Sequence, residues 1–250
     1  MDDLITKQNA VIKASYRLSP NEQAIVLTAI SKIDKNVSDQ VLYELNIKEL
    51  SELTDTRLSD AYSTFKKASF ELFERKITLT NETKKLTRWI QTIDYKDGEG
   101  IIKIQFSNQI LPFLTNLKEN FTSYNLRNVA KFKSTYGVRI YELMMQWKKR
   151  KSIDIELDDL KNMFMLDSSY DRIDNIKRRV IEPALKDINN HSDINASYEN
   201  IKKGRKITGF KFTFKPKKIK LTKEFIEKNA LIGEDWAKAE ARLKKLHNAT

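Results

Sequence analysis

The chain has 250 residues, with 46 lysines and arginines against 34 aspartates and glutamates, and it contains no cysteine. This length can bury one large core or two of ordinary size, and the lack of cysteine excludes disulfides, thiolate nucleophiles and cysteine-ligated metals. The net charge of +12 is uneven, because residues 1–120 carry 17 basic and 17 acidic side chains whereas residues 121–250 carry 29 and 17. The second half is therefore predicted to meet a polyanion.

The first half predicts a helix, a strand, two helices and a hairpin. Ser19 and Pro20 are typical of the N-cap and first position of a helix, which is expected to end near Lys35 and Asn36. The following segments are expected at 41–45 (extended), 47–53 (helix), 58–73 (helix) and 77–80 (extended). Alternating runs at 86–95 and 101–106, joined by an Asp- and Gly-containing turn, predict a β-hairpin.

The second half repeats this order about 110 residues later, which predicts a duplicated unit. Ser134 is expected to cap a helix. The later segments are expected at 153–155 (strand), 157–163 (helix), from Tyr170 (helix), and at 194–198 and 207–214 (hairpin). Each unit has the connectivity of a winged helix, in which the third helix enters the major groove and the wing touches the DNA backbone or the minor groove.

The predicted fold class is therefore α+β, with two tandem winged-helix domains. The expected domains are 1–124 and 125–220, and a short helical tail is expected at 221–250.

The helix from Tyr170 carries the residues that we expect to read DNA. Apolar side chains at helical spacing predict a buried stripe, which leaves polar side chains on the opposite face. The candidates are Arg172, Asn175, Lys177, Arg178, Arg179 and Lys186. Arginine can bond bidentately to guanine and asparagine to adenine, whereas lysine supplies charge for phosphates. The alternative is an ordinary solvated face. Pro183 predicts a bend or a tightened turn in this helix.

The tip of the second hairpin is predicted to clamp phosphates, with Gly204 adopting a positive φ. Its four basic residues are Lys202, Lys203, Arg205 and Lys206. A flexible charged loop is the alternative.

Three further basic residues flank the start of the first helix of the second unit, where helix N-terminal amides can also hold a phosphate. They are Lys131, Lys133 and Arg139, and Arg139 could instead be a structural ion-pair partner.

The first unit offers a weaker version of this surface. Its third helix carries Lys66 and Lys67, and its hairpin tip carries Asp97 and Glu99, which repel phosphate. We therefore expect the first domain to make mainly protein contacts, with DNA contact secondary.

Catalysis finds little support in the sequence. His191 and His247 are far apart and have no neighbours at metal-ligand spacing, and no glycine begins a phosphate-cradling G-x-x-x-x-G-K loop. No catalytic residue, metal or cofactor is predicted, so the chain is not expected to be an enzyme. The sequence also shows no export signal and no apolar run of the roughly 20 residues that span a bilayer, so a cytoplasmic protein without membrane contact is expected.

Three blocks of sequence carry a family resemblance. They are Phe121–Leu126, Lys133–Leu143 and Ile176–Ala184, and the segments 4–9 and 18–20 match as well. Together they resemble the iteron-binding plasmid replication initiators with two winged-helix domains. By motif position, the resemblance implies that Lys177, Arg178 and Arg179 lie on the DNA-reading helix. The family commonly has an aromatic residue where Ile176 stands, which loosens the analogy in packing but leaves the polar face unchanged.

The resemblance also implies a function and partners. Such a bacterial protein binds direct repeats in double-stranded DNA at a plasmid origin, helps to melt adjacent AT-rich DNA, and represses its own gene as a dimer. It implies a dimer contact through the first domain and recruitment of the host initiator ATPase and replicative helicase. Two alternatives stay open: a transcriptional repressor without a role in replication, and a scaffold whose basic face meets an acidic partner.

Overall fold

The computed structural model describes residues 3–34, 41–79, 85–96, 98–115, 117, 119–217, 222–223, 226–227, 230–231 and 234–247. The expected helix end at Lys35 and Asn36, the turn residue Asp97 and the boundary between residues 220 and 221 lie outside these ranges.

The first half forms a small mixed domain. In chain order its elements are β1 (Leu4–Gln8), α1 (Asn9–Lys13), α2 (Pro20–Ser31), β2 (Tyr43–Asn46), α3 (Ile47–Thr54), α4 (Leu58–Glu74), β3 (Lys76–Leu79), β4 (Lys85–Arg88), β5 (Ile90–Lys96), β6 (Ile101–Phe106), α5 (Pro112–Thr115) and β7 (Phe121–Asn125). Helix α2 begins as predicted, because Ser19 Oγ accepts from the Glu22 amide and the Glu22 carboxylate accepts from the Ser19 amide. This reciprocal capping box satisfies two backbone donors at the helix start.

One predicted strand of the first half divides into two. The run 86–95 is interrupted at Trp89, whose side chain is fully buried and packs edge-on against Tyr16 with ring centroids 4.9 Å apart. Strand β4 pairs with β3, whereas β5 joins β2 and β6 in a separate three-stranded sheet. Burying Trp89 therefore ends one strand and sends the chain into another sheet.

The second half follows the same order of elements. They are α6 (Gly137–Gln146), β8 (Ser152–Glu156), α7 (Leu157–Phe164), α8 (Ile173–Ile176), a π-helical turn (Lys177–Ile181), α9 (Glu182–His191), β9 (Ile194–Lys203) and β10 (Lys206–Pro216). The strands form one sheet in the order β8-β10-β9. The predicted α+β class with two winged-helix units is confirmed.

The predicted cap of α6 is wrong by two residues. The residue before the helix is Tyr136, and Ser134 Oγ accepts from the Tyr136 amide at 3.2 Å, one turn before the helix.

The two halves share one core. Strand β1 pairs antiparallel with β7, with Leu4 opposite Asn125 and Gln8 opposite Phe121. Lys7 of β1 lies 2.5 Å from the Glu142 carboxylate of α6, and both side chains are buried. The buried apolar side chains of both halves form one continuous cluster. Strand β1 is thus packed against β7 and α6.

The described part of the tail has its own small apolar cluster. Helix α10 (Trp236–His247) supplies Ala239 and Leu243, which pack with Ile226. Arg242 donates to both carboxylate oxygens of Glu234 at 2.8 Å, and these bonds lower the pKa of Glu234 to about 2. The predicted helical tail is confirmed in these residues. None of the helices in the described ranges is long and apolar enough to cross a bilayer.

Candidate nucleic-acid interface

The DNA-reading helix predicted from the sequence is the continuous stretch formed by α8, the π-helical turn and α9, here called the basic helix (173–191). Its predicted stripe is confirmed, because Ile176, Val180, Ala184 and Ile188 are all fully buried. Their burial forces the side chains between them outward. Four of the six candidate residues are exposed, namely Arg172, Arg178, Arg179 and Lys186.

The turn that carries both exposed arginines is wider than an α-helical one. Pro183 has no amide proton to donate to the carbonyl of Arg179. The Glu182 amide instead donates to the carbonyl of Lys177, five residues earlier, which is the bonding of a π-helix. The turn is therefore widened and not tightened, and both Arg178 and Arg179 are exposed on it.

The other two candidates of the basic helix are less available. Lys177 and Asn175 are half-buried. Asn175 Nδ2 donates to the carbonyl of Ser169 at 2.7 Å, which engages one of its two amide protons. A bidentate contact of Asn175 with adenine would have to use the second proton and the side-chain oxygen.

The hairpin of β9 and β10 forms the wing. Gly204 has φ of +63°, which confirms the predicted left-handed turn. Its four basic residues are all exposed, and Lys203 lies directly across from Lys206 in the ladder. Like charges opposite each other are destabilising, and none of the four forms an ion pair with any residue in the described ranges. A polyanion at the tip would relieve this repulsion.

The lysines before α6 are exposed but engaged with the first domain. Lys131 Nζ lies 2.7 Å from the Asp55 carboxylate, and this hydrogen bond lowers the pKa of Asp55. Lys133 Nζ donates to the carbonyl of Thr54 at 2.9 Å. Both lysines thus tie the segment before α6 to the end of α3.

The prediction of a phosphate site at the backbone amides before α6 is wrong. The backbone amides of Lys133 and Ser134 donate to Asp187 Oδ2 at 2.8 and 2.6 Å. Asp187 is buried on α9. Its carboxylate therefore takes the position that a phosphate oxygen would need.

Arg139 was predicted to contact DNA, and this prediction is wrong. The residue is only 3 % exposed, and its guanidinium donates to the carbonyls of Ile12, Ala14 and Tyr16 at 3.0, 2.7 and 2.8 Å. It also lies 3.7 Å from the centre of the Tyr16 ring. The alternative of an ion pair is replaced by these carbonyl contacts. A guanidinium that is buried and bonded to these backbone carbonyls cannot reach a phosphate.

The first domain presents a weaker cationic face, as expected. Lys66 is half-buried with its ammonium 4.8 Å from the centre of the Tyr95 ring. Lys67 is exposed and 3.8 Å from the Glu71 carboxylate. Large apolar side chains are exposed on the same helix α4, namely Leu58, Tyr62 and Phe70.

One exposed basic segment was not among the predicted DNA-binding residues. The turn between α6 and β8 contains the consecutive residues Lys148, Lys149, Arg150 and Lys151, which are all exposed. Four adjacent basic residues are a visible signal in the sequence, but they lie outside the helix and the wing through which a winged helix binds DNA. In the described ranges, no group of three or more histidine, aspartate or glutamate side chains could hold a metal ion.

Family models and curated relatives agree that this chain is similar to replication initiator proteins. A family model described as "Initiator Replication protein, WH1" matches residues 4–145, and one described as "Initiator Rep protein, WH2" matches residues 156–214. A "Replication initiation protein" of Escherichia coli is 27% identical over 205 residues, which are 78% of this chain and 65% of that relative. The "PI protein" of Escherichia coli is 28% identical over 144 residues, 50% of this chain and 47% of the relative. The chain thus spans about half to just under two thirds of these relatives.

A solved structure supports the fold. The crystal structure of Pi initiator protein in complex with iteron DNA matches with a TM-score of 0.71 at 22% identity, over 85% of this chain and 97% of that one. At this level of identity, the match shows that the two proteins share the two-domain fold.

Proposed function

The chain belongs to the initiator replication protein family with two winged-helix domains, and on that premise we propose that it binds direct repeats (iterons) in double-stranded DNA at a plasmid origin and starts replication there. The supporting observation is that Arg178 and Arg179 are exposed on the widened turn of the basic helix and belong to the same domain as the unpaired cationic wing tip. A major-groove helix with a phosphate-gripping wing is how this fold engages DNA. The solved relative in complex with iteron DNA adds support for the repeats as the target.

The two domains have different roles in this proposal. The second domain (125–220) makes the main DNA contacts, through the basic helix and the wing. The first domain (1–124) forms the dimer contact and adds a secondary DNA contact through Lys66 and Lys67. The exposed apolar side chains of α4 suit a protein contact better than a phosphate contact.

Further parts of the proposal follow from the family. Bound at the repeats, the protein opens adjacent AT-rich DNA and recruits the host initiator ATPase and replicative helicase. As a dimer it represses its own gene and so limits plasmid copy number. We propose that it acts in the bacterial cytoplasm by binding alone, with no catalytic residue and no cofactor.

The test is binding to the DNA that flanks the protein's own gene, with excess competitor DNA at roughly physiological salt, where nonspecific binding is typically micromolar or weaker. We expect a ladder of discrete complexes in a gel-shift assay, one for each direct repeat. A matched control is Lys48→Ala, which removes an exposed positive charge from α3 and should leave the ladder unchanged.

Two results would count against the proposal. A single complex on an inverted repeat would favour a repressor without a role in replication. The absence of any sequence-specific complex would favour a scaffold for an acidic partner.

A further inference from the structure

A second cationic surface lies at the end of α6, away from the basic helix and the wing tip. We call it the basal basic turn, Trp147–Lys151. Its four basic side chains are exposed, and none of them forms an ion pair with any other residue in the described ranges. Trp147 is 41% exposed, and the Arg150 guanidinium lies 5.7 Å from the centre of its ring. An exposed indole thus stands among four unpaired cations.

The basal basic turn is at the opposite end of the hairpin from the wing tip. The carbonyl of Lys151 accepts from the Phe214 amide at 3.0 Å, and Ser152 pairs with Thr213. The stretch of β10 from Lys206 to Phe214 is about 26 Å long at the usual rise of a strand. A duplex held at the wing tip would therefore leave the basal basic turn free for a different stretch of nucleic acid.

The chemistry of the turn fits an unpaired strand. Positive side chains track a phosphate backbone, and an exposed aromatic ring stacks on a base that has no partner on that face. In a duplex the faces of the bases are stacked on one another, so Trp147 could not stack on a base without separating two base pairs. We propose that the basal basic turn binds single-stranded DNA, with Trp147 stacking on a base and Lys148, Lys149 and Lys151 on phosphates.

Binding of a single strand at this site would provide a physical means for the proposed origin opening. In that respect the inference rests on the proposed function. With repeats held by the basic helix and the wing, the basal basic turn at the other end of the hairpin would remain available for an unpaired strand nearby. Capture of one unpaired strand would favour the open state, because a ligand stabilises the state to which it binds. The affinity for single strands does not itself depend on repeat recognition and can be measured separately.

The experiment measures binding of a fluorescent 20-nucleotide oligothymidylate by anisotropy, with a mixed-sequence 20-base-pair duplex measured in parallel. We expect Trp147→Ala to weaken oligothymidylate binding about tenfold, the effect of losing one stacked base, and to change duplex binding less than twofold. Trp147→Phe keeps an aromatic face and should retain most of the affinity. Lys203→Ala at the wing tip should show the opposite pattern, with duplex binding weakened more than single-strand binding.

A fluorescence readout separates stacking from general charge. Oligothymidylate should quench tryptophan emission in the parent protein and in Trp236→Phe, but not in Trp147→Phe. The double variant Lys148→Ala/Lys149→Ala changes only exposed side chains, so it tests the turn without a risk to folding, and it should weaken single-strand binding.

The inference is overturned if oligothymidylate does not bind the parent protein, or if both Trp147→Ala and the double lysine variant bind it as tightly as the parent. It is equally overturned if the turn and wing variants lose single-strand and duplex binding in the same proportion. Binding of the same variants to the direct repeats is measured separately. It shows whether the proposed function fails together with single-strand binding or holds without it.

Discussion

At the scale of single residues, the junction between β1 and α6 depends on buried charges. Lys7 of β1 and Glu142 of α6 are 2 % and 0 % exposed, and their charged atoms lie 2.5 Å apart. The Tyr124 hydroxyl also donates to Glu142. The ammonium of Lys7 and the carboxylate of Glu142 compensate each other's charge where little water reaches either side chain. Such a pair is a weak source of stability while it is intact, but it is costly to break.

We therefore expect Glu142→Ala to lower the free energy of unfolding by about 3–5 kcal/mol, since it leaves the ammonium of Lys7 buried without its counter-charge. Urea denaturation followed by circular dichroism measures this change. The matched control is Glu199→Ala, which removes an exposed carboxylate of β9 and should change stability by less than about 0.5 kcal/mol. Equal unfolding midpoints for the two variants would contradict this account of the junction.

The sequence could not reveal the role of Arg139. It stands in a block that also contains Lys133, and an arginine near a helix start is typical of a phosphate contact. The carbonyls that hold it belong to Ile12, Ala14 and Tyr16, more than 120 positions earlier in the chain. Contacts of that kind follow from how distant segments of the chain pack together and not from any local spacing. Arg178 and Arg179 could be predicted, because their exposure depends only on the apolar stripe of their own helix.

At the scale of elements, we propose that the basic helix reads the DNA sequence. Arg178→Ala should weaken specific binding by about 1–3 kcal/mol if its guanidinium bonds bidentately to a base, and should relax specificity at one position of the repeat. Lys203→Ala at the wing should weaken binding to all sequences alike, because it removes a phosphate contact. Competition assays with repeats substituted one base pair at a time measure both effects. If both variants only lowered the salt dependence equally, direct readout by Arg178 would be wrong.

Most helices and strands could be predicted from periodicity and turn residues, and the exceptions have physical causes. The run 86–95 alternates like one strand, but Trp89 is large enough to require a fully buried site, and the chain changes sheets there. Pro183 correctly marked an irregular turn. Its effect was to widen the helix, because the Glu182 amide reaches back to Lys177, and the local sequence does not distinguish this outcome from a tightened turn.

At the scale of the whole molecule, the shared core makes the protein sensitive to alkaline pH. Burial raises the pKa values of Tyr16, Tyr124 and Tyr141 above the ordinary value near 10. For Tyr124 and Tyr141, the nearby carboxylates of Glu142 and Asp193 add to this effect. All three tyrosines are therefore held in the neutral form by the folded state. Their contribution to stability is complete below pH 10 and is lost as the pH rises toward their folded pKa values.

We expect stability to urea to fall progressively above pH 10, and part of the tyrosine absorbance change at 295 nm to coincide with unfolding. Circular dichroism recorded on the same samples shows when the fold is lost. If all nine tyrosines ionised around pH 10 while the far-ultraviolet spectrum stayed unchanged, it would contradict the claim that the folded core holds these three tyrosines in the neutral form.

The order of elements in the two halves could be predicted from the sequence, because each half repeats the same succession of periodic patterns. The joining of the halves could not. The pairing of Thr6 with Ser123, and the bond of 2.9 Å between their hydroxyls, link residues 117 positions apart. Neither strand carries a local sign of its partner, so two separable domains were the natural expectation where one continuous core exists.

The pairing of β1 with β7 also sets an order of events during translation. The ribosome makes residues 4–8 well before their partner strand, which ends at Asn125, and Glu142 follows later still. Synthesis of the residues from β1 to Asn125 takes about 6–24 seconds at roughly 5–20 residues per second. During this time β1 has no partner strand. The nascent first half therefore leaves the ribosome with β1 unpaired. Strand β1 can pair only after β7 has been synthesised.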